Sequence, residues 1–581
     1  MKRYWLLAAA LLIFIPAFLS CDKDPDPDPD PNDADTVQLR ILSFNFEDFD
    51  PIVIGEIDHE EKKISARIPR TGNVSSVKPT ITYTEGATLN PPSGFAYDFS
   101  QPLGFTVSKD NKQVTYTAHV RYAESNENLL LGVKFPELFR SGSLSGQNIA
   151  LEVPFGTDLS EVLIELDVSP FATVSPASGS RVDLSSPLTI TVTSESGQEN
   201  SYLLTTTVLP QETGIRAFWI APPWHSTFLT SYQHIKNGVA LAKELNFNTL
   251  YVCAWAQTKT LYPSQVLLDN SSYTSIEQTL FGPYSGGSGD PLADLIEEAH
   301  AEGMKVILWY EYGFMSKWST PPTPENDAIL AVHPDWVGIN SFGTQASYNN
   351  TDFYYNAYNP AVQQFMIDLV LEAVENYNID GIQGDDRMPA MPRNSGYDDY
   401  TKQRYRDEHG GADPPASFNN AAWVRWRADI LNQFAIDLYD AVKAAKPNIF
   451  VASSPNPYPW AFDNLMQEWP VWLDDGVVEI LSVQCYRYTE SAYLATINEV
   501  LNHFNSHGDG NLYRLVPGII LQSSAGLTDA DLIAKKIMIN RSKGITGEAF
   551  FYDAPIADER IKKVIRAFYP GPAIFPDLLK K

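Results

Sequence analysis

Residues 360–386 read PAVQQFMIDLVLEAVENYNIDGIQGDD. Val362, Phe365, Met366, Leu369, Val370, Ala373, Val374 and Tyr377 recur at helical spacing, which predicts an amphipathic helix from Pro360 to Tyr377. Asp380-Gly381-Ile382-Gln383-Gly384 then reads as a short apolar strand, ending in the adjacent carboxylates Asp385 and Asp386 and followed by Arg387-Met388-Pro389. A helix that feeds a strand directly is the repeating unit of a parallel α/β fold, and carboxylates at the C-terminal end of such a strand fall where a barrel gathers its chemistry. A solvated acidic turn is the plain alternative.

Outward from this stretch the same alternation continues. Strands are expected at Ile215–Ile220, Thr249–Trp255, Val306–Glu311, Gly381–Gly384, Ile449–Ser453, Glu479–Tyr486, Leu515–Leu521 and Gly547–Tyr552. Helices fall between them, for example at Ser231–Leu245, Pro291–Glu302, Trp423–Ala445 and Asp529–Ser542. Eight alternations predict an α/β TIM (β/α)8 barrel over residues 214–572. An open doubly wound sheet is less favoured, because no Gly-rich phosphate loop follows the first strand.

Upstream, residues 36–210 lack helical period and contain a repeat. Ile68-Pro69, Ala87-Thr88-Leu89-Asn90-Pro91 and Asp98-Phe99-Ser100 return as Val153-Pro154, Ala172-Thr173-Val174-Ser175-Pro176 and Asp183-Leu184-Ser185, each 85 positions later. Short alternating strands in units of that length fit two all-β immunoglobulin-like sandwiches, 36–124 and 125–210. They resemble the tandem immunoglobulin-like modules of bacterial surface lipoproteins. Their role reads as spacing rather than glycan binding, since no exposed aromatic cluster recurs between the copies.

The N-terminus carries Lys2 and Arg3, an apolar run from Trp5 to Leu19, then Ser20-Cys21. The run is short for a membrane span and reads as a signal peptide over residues 1–20, with a retained anchor as the alternative. Phe18-Leu19-Ser20-Cys21 resembles a bacterial lipobox, which implies lipid attachment at Cys21 and, through it, contact with a membrane. Four Asp-Pro pairs from Asp24 to Pro31 make residues 21–35 an extended acidic tether. Acidic residues directly after the cysteine also resemble a surface-export signal, so the chain is expected on the outer membrane, facing the cell surface or the periplasm.

Composition excludes some functions. The chain has 581 residues, which suggests several domains, and a net charge of −29, which argues against nucleic-acid binding. Once Cys21 is lipidated, only Cys253 and Cys485 remain, both in apolar runs where they are expected to pack as small hydrophobes. His225 has no histidine or cysteine at ligand spacing, no zinc or calcium pattern occurs, and no metal or cofactor is expected. A serine-hydrolase elbow is missing as well. A monomer is expected.

The barrel mouth should collect Trp224 and His225; Trp255 and Gln257; Tyr310, Glu311 and Tyr312; Asp385 and Asp386; Ser454 and Asn456; Gln484 and Tyr486; and Tyr552 and Asp553. Glycoside hydrolysis uses one carboxyl group to protonate the leaving oxygen and another to attack the anomeric carbon or activate water. Glu311 and the Asp385/Asp386 pair lie on neighbouring strands, as such a pair requires. Successive strand residues face opposite sides, however, so one aspartate of the two is expected to do chemistry. The loop from Gly313 to Asn359 holds Phe314, Trp318, Trp336, Phe342, Tyr348, Phe353, Tyr354, Tyr355 and Tyr358. This density suits a saccharide cleft; an aromatic mini-core is the alternative for each ring.

Several segments together resemble the glycosyl-hydrolase-like 10 family of bacterial lipoprotein barrels. They are residues 245–252 (LNFNTLYV), 261–264 (LYPS), 309–315 (WYEYGFM), 380–383 (DGIQ), 423–427 (WVRWR) and 453–457 (SSPNP). The resemblance covers about Gly214 to Tyr569 and implies a cell-envelope glycosidase, some relatives acting on peptide-free peptidoglycan strands. Relatives usually carry an aromatic residue at the position of Gly384, a histidine or tyrosine near Arg387, and a glutamate at Asp553. The glycine is expected to open space and the arginine to add a cation, giving a changed subsite.

The combined reading is a glycoside hydrolase with Asp385 as nucleophile or base and Glu311 as general acid/base. Asp386 belongs to the same catalytic group, and Trp255, Gln257, Tyr310, Arg387, Asn456, Gln484, Tyr486 and Asp553 are expected to contact a polysaccharide. A catalytically inactive glycan-binding barrel and a carbohydrate esterase are the alternatives.

Overall fold

The computed structural model describes residues 38–276 and 280–579. The expected signal peptide, Cys21 and the Asp-Pro tether lie outside them. The chain divides into two compact units, one ending at Asn126 and the other beginning at Glu127. No helix among the described residues is long and apolar enough to cross a membrane.

The sequence repeat is also a repeat of topology. In the first copy a five-stranded sheet runs in the order Glu56–Asp58, Lys63–Ile68, Lys112–Tyr122, Leu103–Lys109, Thr88–Asn90. The second copy has the order Ser143–Ser145, Asn148–Val153, Glu199–Val208, Leu188–Thr193, Thr173–Ser175. Each adds a three-stranded sheet, around Ile41–Phe46 and around Leu130–Phe135. Strand alternation explains the two cores: Ile64, Ala66 and Ile68 point inward in one copy, Ile149, Leu151 and Val153 in the other. Phe44, Phe46, Phe99 and Phe105 fill the first core with edge-to-face and stacked rings, while the second relies mostly on aliphatic side chains.

Beyond Gly214 the eight expected strands form one curled parallel sheet. They are β1 (Arg216–Ile220), β2 (Thr249–Cys253), β3 (Lys305–Tyr310), β4 (Gly381–Gly384), β5 (Phe450–Ser453), β6 (Ile480–Leu481), β7 (Gly518–Ile520) and β8 (Glu548–Phe551). Their order is β6-β5-β4-β3-β2-β1-β8-β7. The two edges meet: Val516 N donates to Leu481 O at 2.9 Å and Gly518 N to Val483 O at 2.8 Å. Helices cover the outer face, so the strands are buried on both sides and read as nearly unbroken apolar runs. The helix Pro360–Asn376 matches its expected span; Asn359 caps it by accepting from Ala361 N, and Pro360 sits at its first turn where no N–H is needed.

The inside of the sheet is packed rather than open. Trp219 packs at a tilt against Tyr251 at 5.2 Å between ring centres and lies 6.3 Å from Trp309, and Phe551 packs on both tryptophans. Below the mouth, Trp219 Nε1 donates to Gln383 Oε1 at 2.8 Å and the Tyr251 hydroxyl meets Ser482 Oγ at 3.0 Å. This layer fixes which side chains face inward, and the period of two carries that direction to the strand ends.

Candidate active site

Gln383 and Trp309 point inward, so Asp385 and Glu311, each two residues further on, enter the mouth. In the segment that leaves β6, Ser482 meets the inner layer and Gln484 reaches Asp385. Asp385 is buried and saturated. Its Oδ1 accepts from Ser454 Oγ at 3.1 Å and Gln484 Nε2 at 2.8 Å, its Oδ2 accepts from Arg387 NH1 at 2.8 Å, and its carbonyl accepts from Gln467 Nε2 at 3.0 Å. Asp386 accepts from the same Arg387 NH1 at 2.9 Å and from Asn456 Nδ2 at 2.7 Å. The Asp386 side chain keeps 14% of its surface exposed against 2% for Asp385.

Glu311 closes the other side. Its Oε2 is sealed from solvent and has no hydrogen-bond partner. Burial raises its pKa to about 7; Arg387 opposes the shift, and the charges of Asp386 and Asp352 add to it. Burial first, and then the Asp386 charge, push the Asp385 carboxyl up while Arg387 pulls it down. Asp352 is raised by burial in the same way. For the Arg387 guanidinium, burial disfavours the charge, yet Asp386 and Asp385 outweigh it and hold the cation firmly protonated.

A tight backbone return puts Arg387 there. A Cβ on Gly384 would collide with the Met388 carbonyl oxygen, and one on Gly313, whose φ is +46°, with the Arg387 carbonyl. Phe314 N also donates to Arg387 O at 3.0 Å. Gly384 therefore does not open a subsite, as the sequence suggested. It admits the folded-back chain that lays Arg387 over the aspartates.

The remaining expected contacts divide. Asn456, Gln484 and Tyr486 stand at the acids, with Tyr486 stacked on Phe551 at 5.2 Å. Gln257 lies at the rim and donates to the Tyr312 hydroxyl at 3.2 Å, where Trp224 packs on Tyr312 and His225 on Tyr552. Asp553 is committed to the loop after β1: its two oxygens accept from Ala221 N at 3.0 Å and Ser226 Oγ at 2.6 Å, and burial raises its pKa to about 6. Trp255 and Tyr310 are not brought to the mouth. Tyr310 alternates outward and meets the Tyr262 hydroxyl at 3.3 Å beneath the Pro360–Asn376 helix; Trp255 donates to Gly313 O at 3.0 Å and packs on Phe365 of that helix. Cys253 and Cys485 are free and buried.

The aromatic loop is mostly its own core: Phe314, Trp336, Phe353, Tyr354, Tyr355 and Tyr358 are buried, whereas Trp318 and Phe342 stay 61% and 76% exposed. Within it a small antiparallel sheet pairs Met315–Trp318 with Asp352–Tyr354 and delivers Asp352, which the spacing gave no reason to select, together with Tyr354 from the aromatic set. Asp352 approaches Arg387 NH2 at 4.0 Å, and the buried Tyr354 hydroxyl, without a partner, feels the charges of Arg387, Asp386 and Asp352. Among the described residues no three His, Cys, Asp or Glu side chains are arranged to hold a metal ion.

Residues 41–120 and 143–206 match a family described as SGBP, N-terminal, the two segments falling on the two repeats. Over 299 residues the chain is 24% identical to glycosyl hydrolase YngK of Bacillus subtilis, covering 47% of this chain and 54% of the relative. Over 269 residues it is 23% identical to glycosyl hydrolase DigH of Escherichia coli K12, covering 42% and 55%. The chain thus spans about half the length of these curated relatives. Similar solved structures include the glycoside hydrolase domain of PgaB (BpsB) from Bordetella bronchiseptica, with 12% identity, 61% of this chain and 98% of that chain covered, and a TM-score of 0.46. The catalytic domain of β-amylase from Paenibacillus polymyxa gives 10%, 61%, 95% and 0.41. Residues 214–514, from the segment before β1 to beyond β6 and just over half of the chain, match the family described as glycosyl hydrolase-like 10, and the chain belongs to that family.

Proposed function

We propose that the chain is a glycoside hydrolase whose (β/α)8 barrel cleaves a polysaccharide at the cell envelope, held there by a lipidated Cys21 and preceded by two immunoglobulin-like modules. The observation that carries the reading is the opposition of two kinds of carboxyl group across one mouth. Glu311 is half-buried, its Oε2 is sealed without a hydrogen-bond partner, and the group stays protonated up to about pH 7, as a general acid for a leaving oxygen must be. Asp386 is fixed by Arg387 and Asn456 and keeps an open side, as a nucleophile or base must. Spacing favoured Asp385 for this second role; solvent access favours Asp386. Asp385, whose side chain is sealed from solvent, then positions Arg387, Ser454 and Gln484.

The test is release of reducing ends by the protein from peptide-free peptidoglycan strands and from a panel of capsular and plant polysaccharides. Activity on one of them, lost in Glu311→Gln and Asp386→Asn, supports the assignment. The configuration of the first-formed product, read by proton NMR, distinguishes attack by Asp386 from activation of water.

One observation favours a second reading, a barrel that binds glycan without cleaving it: Arg387 is hydrogen-bonded to both aspartates. In that case wild type releases no reducing ends from any polymer, yet is retained on one of them, and Glu311→Gln leaves the retention unchanged.

A further inference from the structure

The two repeats share their topology and the apolar character of their inner positions, so a difference confined to equivalent outer positions is not demanded by the fold. Such a difference lies on the pair of parallel strands at the centre of each five-stranded sheet. In the first copy Ser65 pairs with His119 and Arg67 with Arg121, one turn of the pleat beyond Lys63. The equivalent pairs in the second copy are Ala150 with Thr205 and Glu152 with Thr207, beyond Asn148. Three cations and a histidine in one copy thus face neutral residues and a glutamate in the other, within a chain whose net charge is −29.

These side chains line a cavity. The edge strand Glu56–Asp58 pairs only with residues 63–65, and the notch of about 530 Å³ beside residues 66 and 67 is lined by Ile54, Glu56, Lys63, Arg67, His119 and Arg121. Ile54 leaves 74% of its surface exposed there, next to the cations. Arg67 is held by Glu124 at 2.7 Å, whereas neither Lys63 nor Arg121 forms an ion pair among the described residues. An unspent guanidinium beside an ammonium, with an apolar side chain between strands, suits a flat ring that bears a carboxylate, because the arginine fork matches a carboxylate's two oxygens.

We propose that this notch in the first repeat binds a carboxylated polysaccharide, a polymer of uronic-acid type, and that the second repeat lacks the site. The proposal concerns binding by the first unit and stands apart from hydrolysis in the barrel. It is tested by affinity electrophoresis of the full chain, in a Glu311→Gln background to suppress cleavage, through gels containing polygalacturonate, a sulfated galactan or a neutral β-glucan. Retardation by polygalacturonate is expected to fall about tenfold or more in Lys63→Glu/Arg121→Glu, and to weaken at about 0.5 M salt. The transplant Asn148→Lys/Glu152→Arg/Thr205→His/Thr207→Arg is expected to restore retardation in that double variant. All these positions are exposed or partly exposed on strand surfaces, and an unchanged thermal transition verifies folding. Equal retardation of wild type and double variant, stronger retardation by the neutral or the sulfated polymer, or no retardation by polygalacturonate would each overturn the proposal.

Discussion

Glu311 is the residue whose environment makes the sharpest demands. Its folded pKa of about 7 lies above the ordinary value of 4.5, so the native state holds a proton that the unfolded chain has released between those two values. The sign follows: stability is undiminished below pH 4.5, falls as pH rises through the interval, and carries the full penalty above pH 7. Glu311→Gln removes the ionisation, and the variant is expected to be more stable than wild type by up to ~3 kcal/mol at pH 8 and about equal near pH 4, measured by urea unfolding. Activity should move the other way, with kcat reduced about 100- to 10,000-fold on any substrate that wild type cleaves. The neighbours give a second check with opposite signs. Arg387 lowers the Glu311 pKa and Asp352 raises it. The basic limb of kcat/KM against pH is therefore expected to shift upward in Arg387→Met and downward in Asp352→Asn. Shifts in the same direction would show that these charges do not act through Glu311.

At the scale of elements, the return between β4 and the following loop governs the site. Gly384 and Gly313 each admit a carbonyl where a side chain cannot fit, from Met388 and Arg387 respectively. Gly384→Ala is expected to destabilise the protein by about 1–3 kcal/mol and to release Arg387 from the aspartates, seen as an upward shift of the basic limb along with a lowered melting temperature. The loss should be larger for Gly313→Ala, whose positive φ adds strain to the collision. The strands and helices around this return were legible in the sequence, because apolar period and strand alternation are local signals, and they carry Glu311, Asp385, Gln484 and Tyr486 inward together. Tyr310 and Trp255 were misread because a residue's side of the strand depends on an inner layer that spacing alone does not reveal. Asp352 was not legible for a different reason. It reaches the site by pairing opposite Trp318 in a sheet built inside a loop, a contact 34 residues apart with no periodic signature. Gly384 looked like empty space because the approaching carbonyl of Met388 lies in a turn whose path the sequence does not encode visibly.

For the whole molecule, the repeat boundaries in the sequence do not coincide with the compact units. The second repeat belongs to the same unit as the curled sheet. Its contacts explain why: Phe139 and Arg140 pack on Phe568, at 6.5 and 5.4 Å between centres, and a Cβ on Gly571 would stand 2.8 Å from the Phe155 carbonyl. Arg216 of β1 also donates to Gly571 O at 2.6 Å, which ties the same backbone to the base of the sheet. A junction this close, backbone against backbone, leaves no room for a linker that lets the second repeat move independently of the sheet. Calorimetry of the full chain is accordingly expected to show a small transition for the first unit and one larger transition in which the second repeat and the curled sheet melt together. Gly571→Val, at a position without positive φ, pushes the Phe155 backbone away and should lower the larger transition by several degrees or split it, leaving the smaller one in place. A variant in which the second repeat melts with the first, or in which only the smaller transition moves, would show that the repeat is coupled to its homologue in sequence rather than to the sheet it packs against.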